Sequence, residues 1–299
     1  MSDKVLIVGS TGQLGTDLVS VLQDCGNFEA IPLTHQDADC TDAVAVRKAV
    51  LYSRPQFVIN SAAFVRVDDC EDHASEAFAV NAIGAFNIAR ACAEIDACCV
   101  YVSTDYVFDG EKKTPYIESD PTSPINVYGT SKLAGEHLVR QTARRWLIVR
   151  VASLFGKTGA RGKGGNFIET ILAKAKKREA LRVVNDIRIS PTYTRDAAQV
   201  IKQLTSAQST GVVHAANRGA CTWYEFAKTA LDLCAIDASL TAVPSEDFPT
   251  RARRPQNSVL GTERLFAGAG VETPTWQEAL RAYLYEKGHL PIPKNSAVG

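Results

Sequence analysis

The sequence has no excess of charge of either sign. Of its 299 residues, 33 are lysine or arginine and 33 are aspartate or glutamate. A balanced chain has no global field that would draw it to nucleic acid or to an anionic membrane surface. We therefore expect neither of these as a partner.

Long apolar runs are also missing. No stretch approaches the roughly 20 apolar residues that span a bilayer. Near the start of the chain, the charged Asp3 and Lys4 stand where a signal peptide would have its apolar segment. These absences predict a cytoplasmic protein with no membrane partner.

Cysteine pairs with metal-binding or redox spacing are also missing. The eight cysteines include no CxxC pair, and most have apolar neighbours: Cys25, Cys40, Cys70, Cys92, Cys98, Cys99, Cys221 and Cys234. Such a distribution favours reduced, buried thiols over disulfides or a zinc site. We assign no metal ligands from the sequence.

The chain does contain an alternation of two apolar periods. Runs typical of buried strands lie at 5–8, 28–33, 57–60, 98–102 and 147–151. Apolar residues recur at helical spacing near 12–23, 41–53, 74–95 and 130–144. Strands that alternate with helices predict an α/β fold with a Rossmann-type, doubly wound parallel sheet.

After Gly156 the alternation loosens. A glycine-rich and charged segment precedes a predicted helix over about 167–177, and two capping boxes, Thr222-Trp-Tyr-Glu225 and Thr275-Trp-Gln-Glu278, predict further helices. We expect a dinucleotide-binding domain and a smaller substrate-binding lobe. The first comprises 1–155 plus about 194–218, the second about 156–193 and 219–290, and 291–299 form a tail.

The first predicted strand runs into a glycine-rich turn, Gly9-Ser-Thr-Gly12-Gln-Leu-Gly15, which a predicted helix follows. Glycines let the backbone approach a pyrophosphate, and a helix N-terminus offers it free N–H groups and a positive dipole end. Because the turn follows the first strand of an alternating chain, it predicts a dinucleotide site.

The GxxGxxG spacing of this turn resembles the extended short-chain dehydrogenase/reductase family, as does Tyr128-Gly-Thr-Ser-Lys132 after a strand that ends in Ser103 and Thr104. On a helix, residues i and i+4 share a face. A cation near the phenol would lower its pKa from near 10. The resemblance implies that Tyr128 protonates a ketone, Thr104 hydrogen-bonds the reacting oxygen, and Lys132 also holds the nicotinamide ribose.

A closer resemblance comes from STDYVFDG at 103–110, which is similar to the same stretch of dTDP-4-dehydrorhamnose reductases. Shared motifs continue through nearly the whole chain, among them Asn60-Ser-Ala-Ala63, Val80-Asn81-Ala82, Gly165-Asn166-Phe167, Ser190-Pro-Thr-Tyr-Thr194 and Arg254-Pro255. The resemblance implies reduction of the 4-keto group of dTDP-4-dehydro-L-rhamnose to dTDP-L-rhamnose by a nicotinamide cofactor.

The same resemblance implies a set of site residues. The phosphate turn of the cofactor site would be Gly9, Thr11, Gly12, Gln13, Leu14 and Gly15, and the adenine contact would be Asp39 and Cys40. The wall beside the cofactor would be Ala62, Ala63 and Ser103, and the cofactor would also contact Tyr128 and Lys132. The dTDP-linked 4-keto-6-deoxy sugar would meet Val67, Thr104, Asp105, Tyr106 and Ser153.

The sequence departs from the family pattern at Ser153, where many members have a tryptophan near the sugar. Losing that ring would weaken apolar contact with the sugar unless another group compensates. We expect the loop 157–165 to supply the compensating contact. Related enzymes also bind Mg²⁺ through glutamates at a dimer contact. Those positions cannot be matched in this chain, so the sequence leaves open whether the protein binds Mg²⁺ and whether it forms a homodimer.

Three functional alternatives also stay open. Nucleotide-sugar dehydratases follow the catalytic threonine with Asp and Glu, whereas Tyr106 follows Asp105 here, which favours simple ketone reduction. The regulatory subunit of methionine adenosyltransferase resembles these reductases but serves as a binding partner, and fold alone does not separate the two. A third alternative is a reductase of another dTDP-4-keto-6-deoxy sugar.

The choice of cofactor depends on the end of the second predicted strand. An acid there favours NAD and an arginine favours NADP. The segment 33–39 has no arginine, its first acid, Asp37, comes late, and His35 could either meet a 2′-phosphate or lie exposed in a loop. We predict NADPH, with NADH also accepted.

Overall fold

The protein is described from a computed structural model, which covers residues 2–24, 26–159 and 165–291. In the first half, strands and helices alternate as predicted: β1 (Asp3–Val8), α1 (Gln13–Gln23), β2 (Phe28–Leu33), α2 (Ala43–Ser53), β3 (Phe57–Asn60), α3 (Val67–Asp72), α4 (Ala74–Phe78), α5 (Gly84–Ile95), β4 (Cys98–Thr104), α6 (Val127–Thr142) and β5 (Arg145–Val151). A π-helical turn, Ala79–Ile83, joins α4 to α5.

The second half has shorter strands between its helices. These elements are β6 (Leu154–Phe155), α7 (Phe167–Lys176), β7 (Leu181–Val184), β8 (Arg188–Ile189), β9 (Thr192–Tyr193), α8 (Thr194–Ser206), β10 (Gly211–His214), β11 (Cys221–Thr222), α9 (Trp223–Leu233), β12 (Leu240–Val243), α10 (Glu263–Ala269) and α11 (Trp276–Glu286). Both predicted capping boxes are present, at the starts of α9 and α11.

Six strands form one sheet in the order β10-β5-β4-β3-β1-β2. Every neighbouring pair in it is parallel. After β2 the chain crosses to the other side of β1, so the carboxyl ends of β1 and β3 border the switch point where ligands bind in such sheets. The predicted Rossmann-type fold is confirmed.

Apolar side chains cover both faces of this sheet. Successive residues of a strand point to opposite faces, so Val5 of β1 packs in one layer with Leu18 and Val200, whereas Leu6 packs in the other with Ile88 and Val139. Helices α1 and α8 belong to the first layer, and α2, α5 and α6 to the second. Packing of the two layers fixes the positions of the strand ends relative to one another.

A third apolar cluster is formed mainly by α7, α9 and α11. Its large side chains include Phe155, Phe226, Trp276 and Tyr283, whose rings contact one another at 5.2 to 5.9 Å between centroids. This separate cluster supports the predicted smaller lobe. The division of the chain into two domains remains a prediction.

The predicted burial of the cysteines is confirmed for the part of the chain that the structure describes. All of its seven cysteines except the half-buried Cys234 are buried. Within the same residues, no helix combines the length and apolarity needed to cross a bilayer. Cys25 and most of the predicted tail, 292–299, lie outside the described residues.

Candidate active site

A cavity of about 770 Å³ opens at the carboxyl ends of the parallel strands. Every predicted site residue except Gly15 lines it. The structure therefore brings together side chains from the phosphate turn, the ends of β3 and β4 and the first turns of α6, which are far apart in the sequence.

The turn between β1 and α1 is held in shape by close backbone contacts. Gly9 has a φ of +79°, and a Cβ atom there would lie 2.7 Å from the Ala62 nitrogen. A Cβ atom on Gly15 would lie 2.1 Å from the Gly9 carbonyl oxygen. Gly15 therefore does not contact the cavity itself, and its missing side chain lets α1 pack closely against the turn.

The same turn offers free donors to an anion. Helix α1 begins after Gly12 without a side-chain cap and has no acidic residue in its first turn. The Gln13 Nε2 atom is buried and has no hydrogen-bond partner among the described residues. A helix N-terminus of this kind binds phosphate, so these residues fit the pyrophosphate of a dinucleotide.

The adenine end of the predicted site lies where β2 leads into α2. Asp39 accepts a hydrogen bond from the Thr41 nitrogen at 2.9 Å, and the buried Cys40 lines the wall beside it. His35 also lines the cavity, 3.9 Å from the Asp39 carboxylate, with a largely exposed side chain. His35 is thus exposed in a loop, as one of the two sequence interpretations expected, and its contact with a 2′-phosphate stays a prediction.

The catalytic candidates meet where β4 ends and α6 begins. Asn126 caps α6 by accepting a hydrogen bond from the Gly129 nitrogen at 2.8 Å, so the helix begins three residues earlier than the apolar pattern predicted. A Cβ atom on Gly129 would lie 2.1 Å from the Tyr106 carbonyl oxygen. This close approach brings the Tyr128 phenol into hydrogen-bond contact with Thr104.

The pKa of Tyr128 differs from the sequence expectation. Burial of the phenol raises its pKa, the hydrogen bond with Thr104 opposes that rise, and Asp105 adds to it. We expected the Lys132 ammonium to lower this pKa, and that expectation is wrong for the protein without ligand. The reason is that Lys132 is engaged elsewhere.

Lys132 is almost fully buried. Its Nζ atom donates to the Val102 carbonyl at 2.6 Å and lies 4.1 Å from the centre of the Tyr101 ring. Burial lowers the pKa of Lys132 to about 7, although Glu136 and Cys40 oppose that fall. Near neutral pH this amine is therefore poised between its charged and neutral forms.

Asp105 is a second titratable group with a shifted pKa. Only 3% of it is exposed, and burial raises its pKa to about 6. Its Oδ1 atom accepts from the Thr104 hydroxyl at 3.0 Å, and side-chain hydrogen bonds with Ser258 and Thr104 oppose the rise of its pKa. Asp105 also lines the cavity, so its carboxylate is a candidate acceptor for a ligand hydroxyl.

Ser153 lines the cavity with a left-handed backbone, φ +42°. Two aromatic residues also line the cavity. Phe167 and Trp223 pack edge to face, with ring centroids 4.8 Å apart, and both line the cavity. Of the predicted compensating loop, residues 160–164 lie outside the described residues.

Sequence reasoning missed several residues of the wall: Ser61, Phe64, Val80, Asn166, Phe167, Thr170 and Trp223. Two of them belong to segments with a signal, since Phe167 follows Asn166 in a motif of the resemblance and Trp223 opens a helix at a capping box. Among the described residues, no group of three potential metal ligands was found, and the magnesium question stays untested.

Comparison with known proteins gives one consistent family. Residues 3–288 match the family model of the RmlD substrate binding domain. The spore coat polysaccharide biosynthesis protein SpsK of Bacillus subtilis is 39% identical, with 95% of this chain and 98% of that protein covered. The dTDP-4-keto-6-deoxy-D-glucose reductase of Streptomyces niveus is 38% identical, with 94% and 96% covered.

Solved structures agree. The dTDP-4-dehydrorhamnose reductase of Clostridium acetobutylicum superposes with a TM-score of 0.89 at 39% identity, covering 95% of this chain and 99% of that one. The dTDP-4-dehydrorhamnose reductase of Bacillus anthracis, solved in complex with NADP, has a TM-score of 0.90 at 35% identity, with 96% and 100% covered.

Proposed function

Because this chain belongs to the family of the RmlD substrate binding domain, we propose that it is an NADPH-dependent reductase that converts dTDP-4-dehydro-L-rhamnose to dTDP-L-rhamnose. One observation carries the proposal: Thr104, Tyr128 and Lys132 line one cavity together with the glycine turn. The solved reductases similar to this chain support the reaction class.

The cofactor would bind along the switch point of the sheet. The turn from Gly9 to Gly15 would hold its pyrophosphate, with Gln13 as a free donor, and Asp39 and Cys40 would meet the adenine. The NADP bound to the Bacillus anthracis relative supports NADPH. His35, at the rim of the cavity beside Asp39, would face the 2′-phosphate.

The chain's own residues would manage the proton. When bound, the reduced nicotinamide supplies hydride to the carbonyl carbon of the sugar. Since its pKa is raised, Tyr128 keeps its phenolic proton at neutral pH and can give it to the ketone oxygen. Thr104, in hydrogen-bond contact with that phenol, would orient it and hydrogen-bond the reacting oxygen, and Lys132 would hold the ribose of the nicotinamide nucleotide.

The sugar nucleotide would occupy the wall opposite the turn. Asp105 would accept a hydrogen bond from a sugar hydroxyl, while Phe167 and Trp223 would offer ring surface where Ser153 has none. Val67 and Tyr106 line the same region. We propose that this aromatic pair takes over the contact that the family's tryptophan makes.

The similarity to the Streptomyces enzyme favours a second candidate, reduction of another dTDP-4-keto-6-deoxy sugar. The two candidate substrates differ only in the configuration of the sugar. Ser153 and the aromatic pair Phe167 and Trp223 would discriminate between them. A regulatory role like that of the methionine adenosyltransferase subunit has no comparable support, since Thr104, Tyr128 and Lys132 converge in one cavity.

The test is cofactor oxidation followed by nicotinamide absorbance. The protein is mixed with NADPH and with dTDP-4-dehydro-L-rhamnose or dTDP-4-keto-6-deoxy-D-glucose, each generated in place. Oxidation that requires the rhamnose precursor supports the first proposal, and faster oxidation with the glucose derivative supports the second. No oxidation by folded protein that still binds NADPH would refute both, and repeating the assay with NADH measures cofactor preference.

We further propose a cytoplasmic homodimer. The absence of a membrane-spanning helix among the described residues is compatible with that location. Light scattering of the purified protein measures its mass directly, and a monomer at assay concentration would contradict the dimer. Addition of a magnesium chelator to the same sample tests whether a metal holds two copies together.

A further inference from the structure

Helix α6 has a third polar residue in line with Tyr128 and Lys132. Glu136 follows Lys132 by four residues, so it lies on the same face of the helix, one turn deeper. Only 1% of it is exposed, and it does not line the cavity. A carboxylate this deeply buried needs partners to remain charged.

Those partners come from the two strands that α6 covers. Arg150 donates to Glu136 twice, from Nε at 2.9 Å and from Nη2 at 2.7 Å. The Ser103 hydroxyl donates to the same carboxylate at 2.5 Å. Ser103 and Arg150 are register partners across β4 and β5, so one carboxylate ties the helix to both strands.

One of these bonds joins Glu136 to a residue that lines the cavity, Ser103, and a second lining residue, Lys132, precedes Glu136 by one helical turn. Ser103 belongs to the wall beside the cofactor site, and Lys132 lies directly above Glu136 on the helix. The charged and titratable groups that face Lys132 are Glu136 from its own helix, Tyr101 from β4 and Cys40 from the segment after β2. Of these, Glu136 is the one paired with a cation, Arg150.

We propose that Glu136 is a positioning residue of the active site, which fixes the Ser103 hydroxyl beside the cofactor and supplies the negative charge that keeps Lys132 in its ammonium form. The proposal rests on the proposed function, because it assigns Lys132 the ribose of the nicotinamide nucleotide. Arg150 holds the carboxylate in place through its two hydrogen bonds.

The direction of the effect follows from the charges. Burial already lowers the pKa of Lys132 to about 7, and Glu136 opposes that fall. Replacing the carboxylate by an amide removes the opposing charge, so Lys132 loses its proton at lower pH. NADPH binding that depends on the ammonium should then weaken at lower pH than in the wild type.

The experiment measures the dissociation constant of NADPH as a function of pH by cofactor fluorescence, with no sugar present. We expect Glu136→Gln to shift the alkaline loss of affinity downward by about one pH unit, the low end of what a nearby opposite charge does to a pKa. The exposed pair Arg47–Glu94 provides a matched control. Glu94→Gln makes the same chemical change and should leave the profile unmoved.

A second variant separates this role from a structural one. Glu136→Gln leaves the Arg150 charge buried without its partner, which can unfold a protein. The double variant Glu136→Gln/Arg150→Met removes both charges and should fold. It should still show a downward shift, smaller than that of Glu136→Gln because a positive charge has been removed as well. A wild-type profile in a folded variant, or failure of both variants to fold, overturns the proposal.

This outcome is independent of the sugar. If wild-type protein binds NADPH but reduces no keto sugar, the proposed function fails while the pH profiles still report on Glu136. If the wild type reduces the sugar and the profiles coincide, the function stands and the positioning role fails.

Discussion

Gly15 provides a sharp structural test of the cofactor site because it does not line the cavity. Its Cβ position is 2.1 Å from the Gly9 carbonyl oxygen and 2.9 Å from both the Gly9 carbonyl carbon and the Ser10 Cα atom. All three are backbone atoms, so no side chain can rotate away. Gly15→Ala must therefore move α1 and the phosphate turn apart by about an ångström, toward ordinary carbon contact distances.

The cost of that movement sets the expected magnitude. Overpacking a close contact costs about 1–3 kcal/mol. If that strain is relieved by displacing the turn, NADPH affinity should fall by about 5- to 150-fold, since each 1.4 kcal/mol is a factor of ten. Affinity for the sugar nucleotide should change much less, because the opposite wall of the cavity is untouched.

Calorimetric titration of NADPH into the variant measures this directly. Gly26→Ala is the control, because Gly26 also has a positive φ, +65°, but its Cβ position has nothing within 4 Å. That variant should lose some stability and keep its NADPH affinity. Unchanged affinity in Gly15→Ala would refute the assignment of this turn to the pyrophosphate.

Three further predictions concern the chemistry and the sugar. Tyr128→Phe removes the proton donor and should lower turnover by roughly 10²-fold or more while NADPH binding survives; near-normal turnover would remove Tyr128 from the mechanism. Trp223→Ala should raise KM for the sugar nucleotide by at least about fivefold, since a ring contact contributes on the order of 1 kcal/mol beyond its area. An equal loss of NADPH affinity would show that Trp223 does not lie at the sugar end of the cavity. Burial raises the pKa of Asp105 to about 6, so its carboxylate becomes protonated as pH falls through 6 and wild-type turnover should decline there. Asp105→Asn lacks the titrating carboxylate and should lose this decline. If the decline at acid pH is unchanged in the variant, another residue causes it.

The sheet and the positions of the catalytic trio could be predicted because they depend on local patterns. Apolar runs marked the first five sheet strands, and the spacing of Tyr128 and Lys132 put both on one helical face. The start of α6 was predicted too late because Asn126, its cap, is polar and lies outside the apolar period.

The aromatic wall could not be predicted, because its contact joins distant parts of the chain. Phe167 opens α7 and Trp223 opens α9, and only the packing of the two helices brings the rings together. The same limit applies to Lys132. Its pKa depends on burial and on the Val102 carbonyl, neither of which a residue spacing reports.

We propose that hydride moves from NADPH to the keto carbon of a dTDP-linked sugar in the cavity that contains Tyr128. NADPH with deuterium at both positions of carbon 4 of the dihydronicotinamide tests this step, and mass spectrometry and NMR locate the label in the product. We expect one deuterium at carbon 4 of the product sugar, with incorporation strongly reduced in Tyr128→Phe. A reduced sugar without deuterium at that carbon would rule out direct hydride transfer from NADPH.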